Sequence, residues 1–239
     1  MTSGQPARRV VSLVPSITET LLAWGITPVG VTRFCEAPGV TAVGGTKNPD
    51  VSAIARLSPD LIVMDKEENR ADDAKALEAL GLRVHATRVR ALDDVAPMLV
   101  ELAAAVGHAG AEPEGVGANT SEAAPIRLTA WVPIWRRPWM SVSGATYGST
   151  LLRAAGIENV CAAAGDPYPE MTLEEAVELH PDVVLAPSEP YPFKERHRAE
   201  LESVAPVVLV DGQDLFWWGS RTPAALARLQ QLATSLAGR

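Results

Sequence analysis

Trp135-Arg136-Arg137-Pro138-Trp139 places two tryptophans and two arginines within five residues, just after Pro133. Indole faces stack on planar ligands, and guanidinium groups pair bidentately with anions. The competing reading is that both rings cap the core beneath a connector. Glu67 and Glu68, in Asp65-Lys66-Glu67-Glu68-Asn69-Arg70, are adjacent carboxylates that could ligate a metal, fix an amine or move a proton. Against this, charge runs commonly open solvated helices, where the helix dipole favours acids. Phe216, Trp217 and Trp218 are consecutive, so neither helix nor strand can turn all three rings to one core, and at least one is expected at a cleft or interface. Gly44-Gly45 permits positive φ and close approach of backbone to a ligand, or simply a turn; the phosphate-loop pattern G-x-x-x-x-G-K-[ST] is absent. Of the four histidines, only His197, beside the proline-rich run Pro187–Pro192, stands near these stretches.

The elements that must position these residues come in two similar sets. Leu57 to Arg70 (LSPDLIVMDKEENR) and Leu179 to Arg198 (LHPDVVLAPSEPYPFKERHR) share an L-x-P-D step, a short apolar run and a charged segment. Each predicts a buried strand, a loop at its C-terminal end and a helix; such loops are where open α/β folds bind ligands. Ser16–Gly25 (SITETLLAWG) and Ser149–Gly156 (STLLRAAG) read as helices started by a hydroxyl and closed by glycine, with Ser16 and Glu19 matching a capping box. The offset drifts from about 122 to about 131 residues, so one unit is used twice, with insertions. Further strands are expected at 10–14, 28–32, 82–87, 127–132 and 207–211, and helices at 51–57, 92–106 and 223–236. The final helix should bury Leu226, Leu229, Leu232 and Leu236. Periodicity is lost from Gly107 to Ala124, the expected seam: a lobe over 9–91, a connecting helix and linker over 92–125, and a second lobe over 126–239.

The chain has 239 residues, 47% hydrophobic and 21% charged, enough for a sizeable core in two lobes. A net charge of −8 argues against a general nucleic-acid surface. Cys35 and Cys161 lack ligand-like spacing, so neither a disulfide framework nor a zinc knuckle is indicated. No apolar run is long enough for membrane insertion. The N-terminal MTSGQPARR has neither an apolar signal region nor a lipobox cysteine, so the expectation is cytoplasmic if Met1 is the natural start and periplasmic if an export signal has been omitted.

SLVPSITETLLAWG, VGVT, LSPDLIVM and TLEEAVELHPDVVLA together resemble the class III, helical-backbone periplasmic substrate-binding proteins, which serve vitamin B12 and ferric siderophore or haem uptake. The resemblance runs from Arg9 to the final helix. It implies two α/β lobes joined by a backbone helix, shortened or broken here, with ligand in a cleft between them. The loops it implies as ligand contacts contain Ser16, Lys47, Glu67, Glu68, Asn69, Arg70, Trp135, Arg136, Trp139, Glu189, Tyr191, Phe193, Lys194, Trp217, Trp218 and Arg221. A corrinoid or metal chelate is the implied ligand, with no certain cofactor, and an ABC transporter the implied partner if the protein is exported. Three functions compete. The first is a binding protein enclosing a polar or metal-chelate ligand. The second is an enzyme using the same cleft, its paired carboxylates and Lys, Arg and His groups doing acid–base chemistry. The third is a scaffold that has lost its ligand. No Ser-His-Asp order, HExxH or nucleotide loop supports the enzyme.

Overall fold

The computed structural model describes residues 9–108 and 124–238. Within these, the chain forms two compact units, one of residues 9–89, 94–108 and 218–220, the other of 90–93, 124–217 and 221–238.

The first unit runs β1 (Val10–Ser12), α1 (Pro15–Ala23), β2 (Gly30–Val31), β3 (Thr41–Ala42), α2 (Val51–Arg56), β4 (Leu61–Asp65), α3 (Ala71–Ala79), β5 (Val84–Thr87) and α4 (Val95–Val106). Its strands make one parallel sheet in the order β3-β2-β1-β4-β5. Every residue of β4 is buried, as a parallel strand covered on both faces requires. Ile62 and Met64 pack on one face with Val11, Leu13, Ile54 and Leu77. The strand order reverses between β1 and β4, so the crevice at their carboxyl ends is the topological switch point.

In the second unit the elements are β6 (Leu128–Trp131), β7 (Pro133–Trp135), β8 (Trp139–Ser141), α5 (Tyr147–Ala154), β9 (Ile157–Asn159), β10 (Glu170–Met171), α6 (Leu173–Glu178), β11 (Val183–Pro187), α7 (Arg198–Leu201), β12 (Val207–Val210), α8 (Gly212–Phe216) and α9 (Thr222–Ala237). The parallel order β9-β6-β11-β12 reproduces β2-β1-β4-β5 of the first unit, with its switch point between β6 and β11. Two similar α/β lobes are therefore present. What distinguishes the second is an insertion after β6, where the β7–β8 hairpin pairs with β10 in a separate antiparallel sheet. This hairpin carries Trp135, Arg136 and Trp139.

Helix starts differ from the sequence expectation. α1 begins at Pro15, and its N-cap residue, Val14, offers no side-chain cap. Proline is suited to the first helical position because its missing N–H would be unbonded there anyway, so the helix starts ahead of Ser16 and the Ser16–Glu19 capping box does not form. Ser16 lies inside the first turn with its hydroxyl buried and without a hydrogen-bond partner. α5 likewise starts ahead of Ser149, because the Thr146 hydroxyl accepts the Ser149 N–H. A capping box does occur on α6, between Thr172 and Glu175. The charged segment after β11 yields only a short helix, α7, preceded by a 3-10 turn over Glu195–His197.

On α9 the buried positions are Thr222, Ala225, Leu229 and Ala233, while Leu226, Leu232 and Leu236 are half-buried. Small residues therefore sit at the centre of the buried stripe, where the helix closes on its neighbours, and the leucines pack along its flanks. α4 ends at Gly107, whose φ of 72° suits a glycine left-handed cap. The rest of the expected seam, 109–123, lies outside the described residues.

Candidate functional site

On the second unit, the carboxyl ends of β6 and β11 carry a continuous aromatic group. Trp135, on the hairpin, is 44% exposed and meets Tyr191 edge-on, with ring centres 5.7 Å apart. Tyr191 leans on Phe193 at 4.8 Å, and Phe193 stacks on Trp139 at 6.0 Å and 6°. Trp139 reaches Trp131 at 5.9 Å, and Trp131 donates its indole N–H to Met171 Sδ at 3.1 Å. Exposure falls from Trp135 through half-buried Tyr191 and Trp139 to Phe193 and Trp131 in the core. The outer ring is thus an exposed aromatic face on a progressively buried base.

Arg136 is oriented by the same ledge. Its Nε and Nη2 each lie 2.8 Å from Glu200 Oε2, its guanidinium bonds the Tyr191 side chain, and it stands 6.0 Å from the centre of the Trp139 ring. A guanidinium carries five N–H donors, so with Glu200 and Tyr191 engaged it retains donors able to pair with an acidic or carbonyl group. Arg137, at φ 72°, and Pro138 turn the hairpin.

The turn after β11 is fixed from behind. Ser188 Oγ accepts the Gly212 N–H at 2.9 Å, and a Cβ on Gly212 would lie 2.5 Å from Glu189 Cγ and 2.6 Å from Glu189 N. Only glycine allows the two loops so close. Glu189 is half-buried and Lys194 exposed. Arg221 donates to Asp214 Oδ1 and Gln213 Oε1, each at 2.9 Å, and covers Trp217 at 5.3 Å. Asp214 also takes two bonds from Arg228 at 2.6 Å; these arginines, Arg228 foremost, hold its carboxyl below the usual range despite burial. Arg221 is therefore oriented by a structural ion-pair network. Trp217 and Trp218 are both buried, Trp217 in the second unit and Trp218 in the first. α8 ends at Phe216 and Trp217 is extended, so the three rings leave the backbone in different directions.

The first unit's switch point is built otherwise. Asn69 Oδ1 accepts the Asp65 N–H at 2.8 Å, and its Nδ2 donates to Leu13 O at 3.1 Å and Thr46 O at 2.9 Å. One buried amide thereby ties the ends of β1 and β4 to the glycine loop. Burial pushes the Asp65 carboxyl up, although it accepts from Thr87 Oγ1 at 2.7 Å and Glu67 N at 2.8 Å. Lys47 donates to Glu67 O at 2.9 Å. Glu67 and Arg70 are exposed and Glu68 half-buried. Gly44 has φ 97°, and a Cβ there would meet Asn48 O at 2.6 Å, so the glycine pair serves the tight turn. Among the described residues, no group of three or more His, Cys, Asp or Glu is placed to hold a metal ion.

Sequence reasoning passed over Arg33 and Phe34, on the loop after β2. Phe34 is 54% exposed with the Arg33 guanidinium 4.7 Å from its ring centre. The signal was available: an arginine–aromatic pair at a strand end, as in Trp135-Arg136. Here it followed a two-residue strand too short to stand out.

The sequence profile described as periplasmic binding protein matches residues 10–203. The vitamin B12-binding protein of Salmonella choleraesuis (strain SC-B67) is 26% identical over 191 residues, covering 75% of this chain and 72% of the relative. That of Vibrio campbellii (strain ATCC BAA-1116) is 23% identical over 199 residues, 76% of this chain and 71% of the relative. Among solved structures, the periplasmic vitamin B12-binding protein of Vibrio cholerae superposes with a TM-score of 0.75 at 20% identity, covering 98% of this chain and 99% of that one. A periplasmic heme-binding protein in complex with two hemes gives 0.79 at 19% identity, covering 98% and 100%. No helix among the described residues is long and apolar enough to cross a membrane. With this two-lobe α/β architecture and a profile match over most of its length, the chain belongs to the periplasmic binding protein family.

Proposed function

We propose that this chain is a substrate-binding protein for a corrinoid-like metal chelate, taken up on the Trp135–Tyr191–Trp139 ledge and oriented by Arg136. The observation that carries the reading is Trp135, 44% exposed on a packed aromatic base at a switch point. An exposed indole so braced offers flat area with little side-chain entropy left to lose. Relatives named for vitamin B12 support the corrinoid class. Binding without turnover is the reading the relatives support, with delivery to an ABC transporter outside the cytoplasm.

Titration of the ligand-free protein with cyanocobalamin, followed by tryptophan fluorescence and calorimetry, tests this. Saturable quenching at one equivalent is expected, with haemin producing no shifted Soret band. Saturable haemin binding without cyanocobalamin binding would overturn the ligand class; binding of neither would overturn the reading.

A further inference from the structure

His197 is 5% exposed yet stands among groups that are mostly cationic. Its Nδ1 accepts the backbone N–H of Lys194 at 3.0 Å, closing the 3-10 turn that follows the proline-rich loop. The ring also supports the ledge from below, 5.5 Å from Tyr191 and edge-on to Phe193 at 5.8 Å. Arg196 Nε lies 3.1 Å from Nε2. A neutral imidazole has one ring lone pair. A neutral ring cannot accept both, and because the Lys194 N–H is fixed by the backbone while Arg196 is an exposed side chain that can turn away, we place the lone pair on Nδ1 and the proton on Nε2.

We propose that His197 is the positioning residue of the aromatic ledge, holding the Tyr191–Phe193 turn only while its ring is neutral, so that the ledge loosens on acidification. A proton on Nδ1 removes the acceptor that closes the turn and leaves the Lys194 N–H facing a donor. The new charge then meets Arg196 and Lys194 on its own segment and Arg136 on the β7–β8 hairpin, with Glu200 on α7 the opposing anion. Glu200 is already engaged by Arg136 at 2.8 Å, so charging His197 sets two cations in competition for one carboxylate. Burial first, then Arg196 and Arg136, hold the His197 ring below the ordinary histidine range. A group depressed in the fold contributes stability above its unfolded pKa and loses it as pH falls through the folded value. The loosening therefore belongs on the acid side of about pH 6.5. The effect lies in the second unit and is independent of which ligand is bound.

The test uses the ligand-free chain. Near-UV circular dichroism and acrylamide quenching of tryptophan are followed from about pH 7.5 to pH 5, with far-UV dichroism as the check on overall fold. In wild type, loss of near-UV signal and increased quenching are expected with a midpoint below about 6.5, far-UV signal being retained. His197→Asn keeps an acceptor near the Nδ1 position and cannot titrate, so it should retain its near-UV signal throughout. A flat wild-type profile, or the same transition in H197N, overturns the proposal. Should H197N not fold, histidine NMR on wild type decides: a His197 midpoint that coincides with the near-UV midpoint supports the proposal, and separate midpoints overturn it.

Discussion

Gly212→Ala adds one methyl group at the point where α8 starts behind the ledge. The added Cβ would lie 2.5 Å from Glu189 Cγ, 2.6 Å from Glu189 N and 2.7 Å from Glu189 O, where 3.4–4 Å is ordinary contact. Two of these three atoms are backbone, so the clash cannot be relieved by a rotamer change and the turn must retreat by roughly 1 Å. Overpacking of this kind costs about 1–3 kcal/mol. Replacing glycine returns about 0.4–1 kcal/mol through the unfolded chain. Mid-range values leave a net loss of about 1.3 kcal/mol, or a fall of about 3–5 °C in Tm for a chain of this size. Glu189 is two residues from Tyr191, so near-UV ellipticity should change as well. Thermal melts of G212A beside Gly165→Ala make the comparison, since a Cβ on Gly165 meets nothing within 4 Å and that variant should melt about 1–4 °C above wild type. A Tm for G212A at or above wild type, with an unchanged near-UV spectrum, would refute the close-approach reasoning.

Asn69→Ala removes three hydrogen bonds and strands the buried Asp65 N–H and Leu13 carbonyl, for a loss of about 2–4 kcal/mol; urea titration should show a lower midpoint at unchanged slope. Burial pushes the Tyr147 phenol, bonded to Thr222, up to about 12. A raised value means that the fold holds the proton more tightly, so its stabilisation is intact below the unfolded phenol's pKa of about 10 and is lost as pH rises through the folded one; the last phenolate absorbance to appear on alkaline titration should vanish in Tyr147→Phe. Trp135→Ala should leave the melt nearly unchanged, because the ring is 44% exposed, while cyanocobalamin affinity by calorimetry falls roughly tenfold, the equivalent of about 1.4 kcal/mol.

The paired strands, the doubled plan and the family were legible in the chain, since apolar runs closed by L-x-P-D steps and charged loops are local signals of buried parallel strands. Residue type also marked Trp135, Arg136 and Trp139 as able to stack and pair. Tertiary structure alone decided which chemistry each loop residue has left to offer. Asn69 resembles any polar loop residue in sequence, yet its amide ties three backbone segments together. Arg221 and Arg136 are equally charged and both ion-paired, to Asp214 and to Glu200, yet Arg221 covers the buried Trp217 while Arg136 lies along the aromatic ledge. Phe34 and Trp217 differ little in hydrophobicity, and one is 54% exposed while the other is 9%. The helix starts at Pro15 and Tyr147 turned on single-residue capping choices that periodicity does not resolve. The physical reason is common to these cases. Hydrophobic pattern is periodic along the chain and is written locally. The partner of a hydrogen bond or ring is set by segments far apart in sequence, as when Glu200 meets Arg136 across 64 residues.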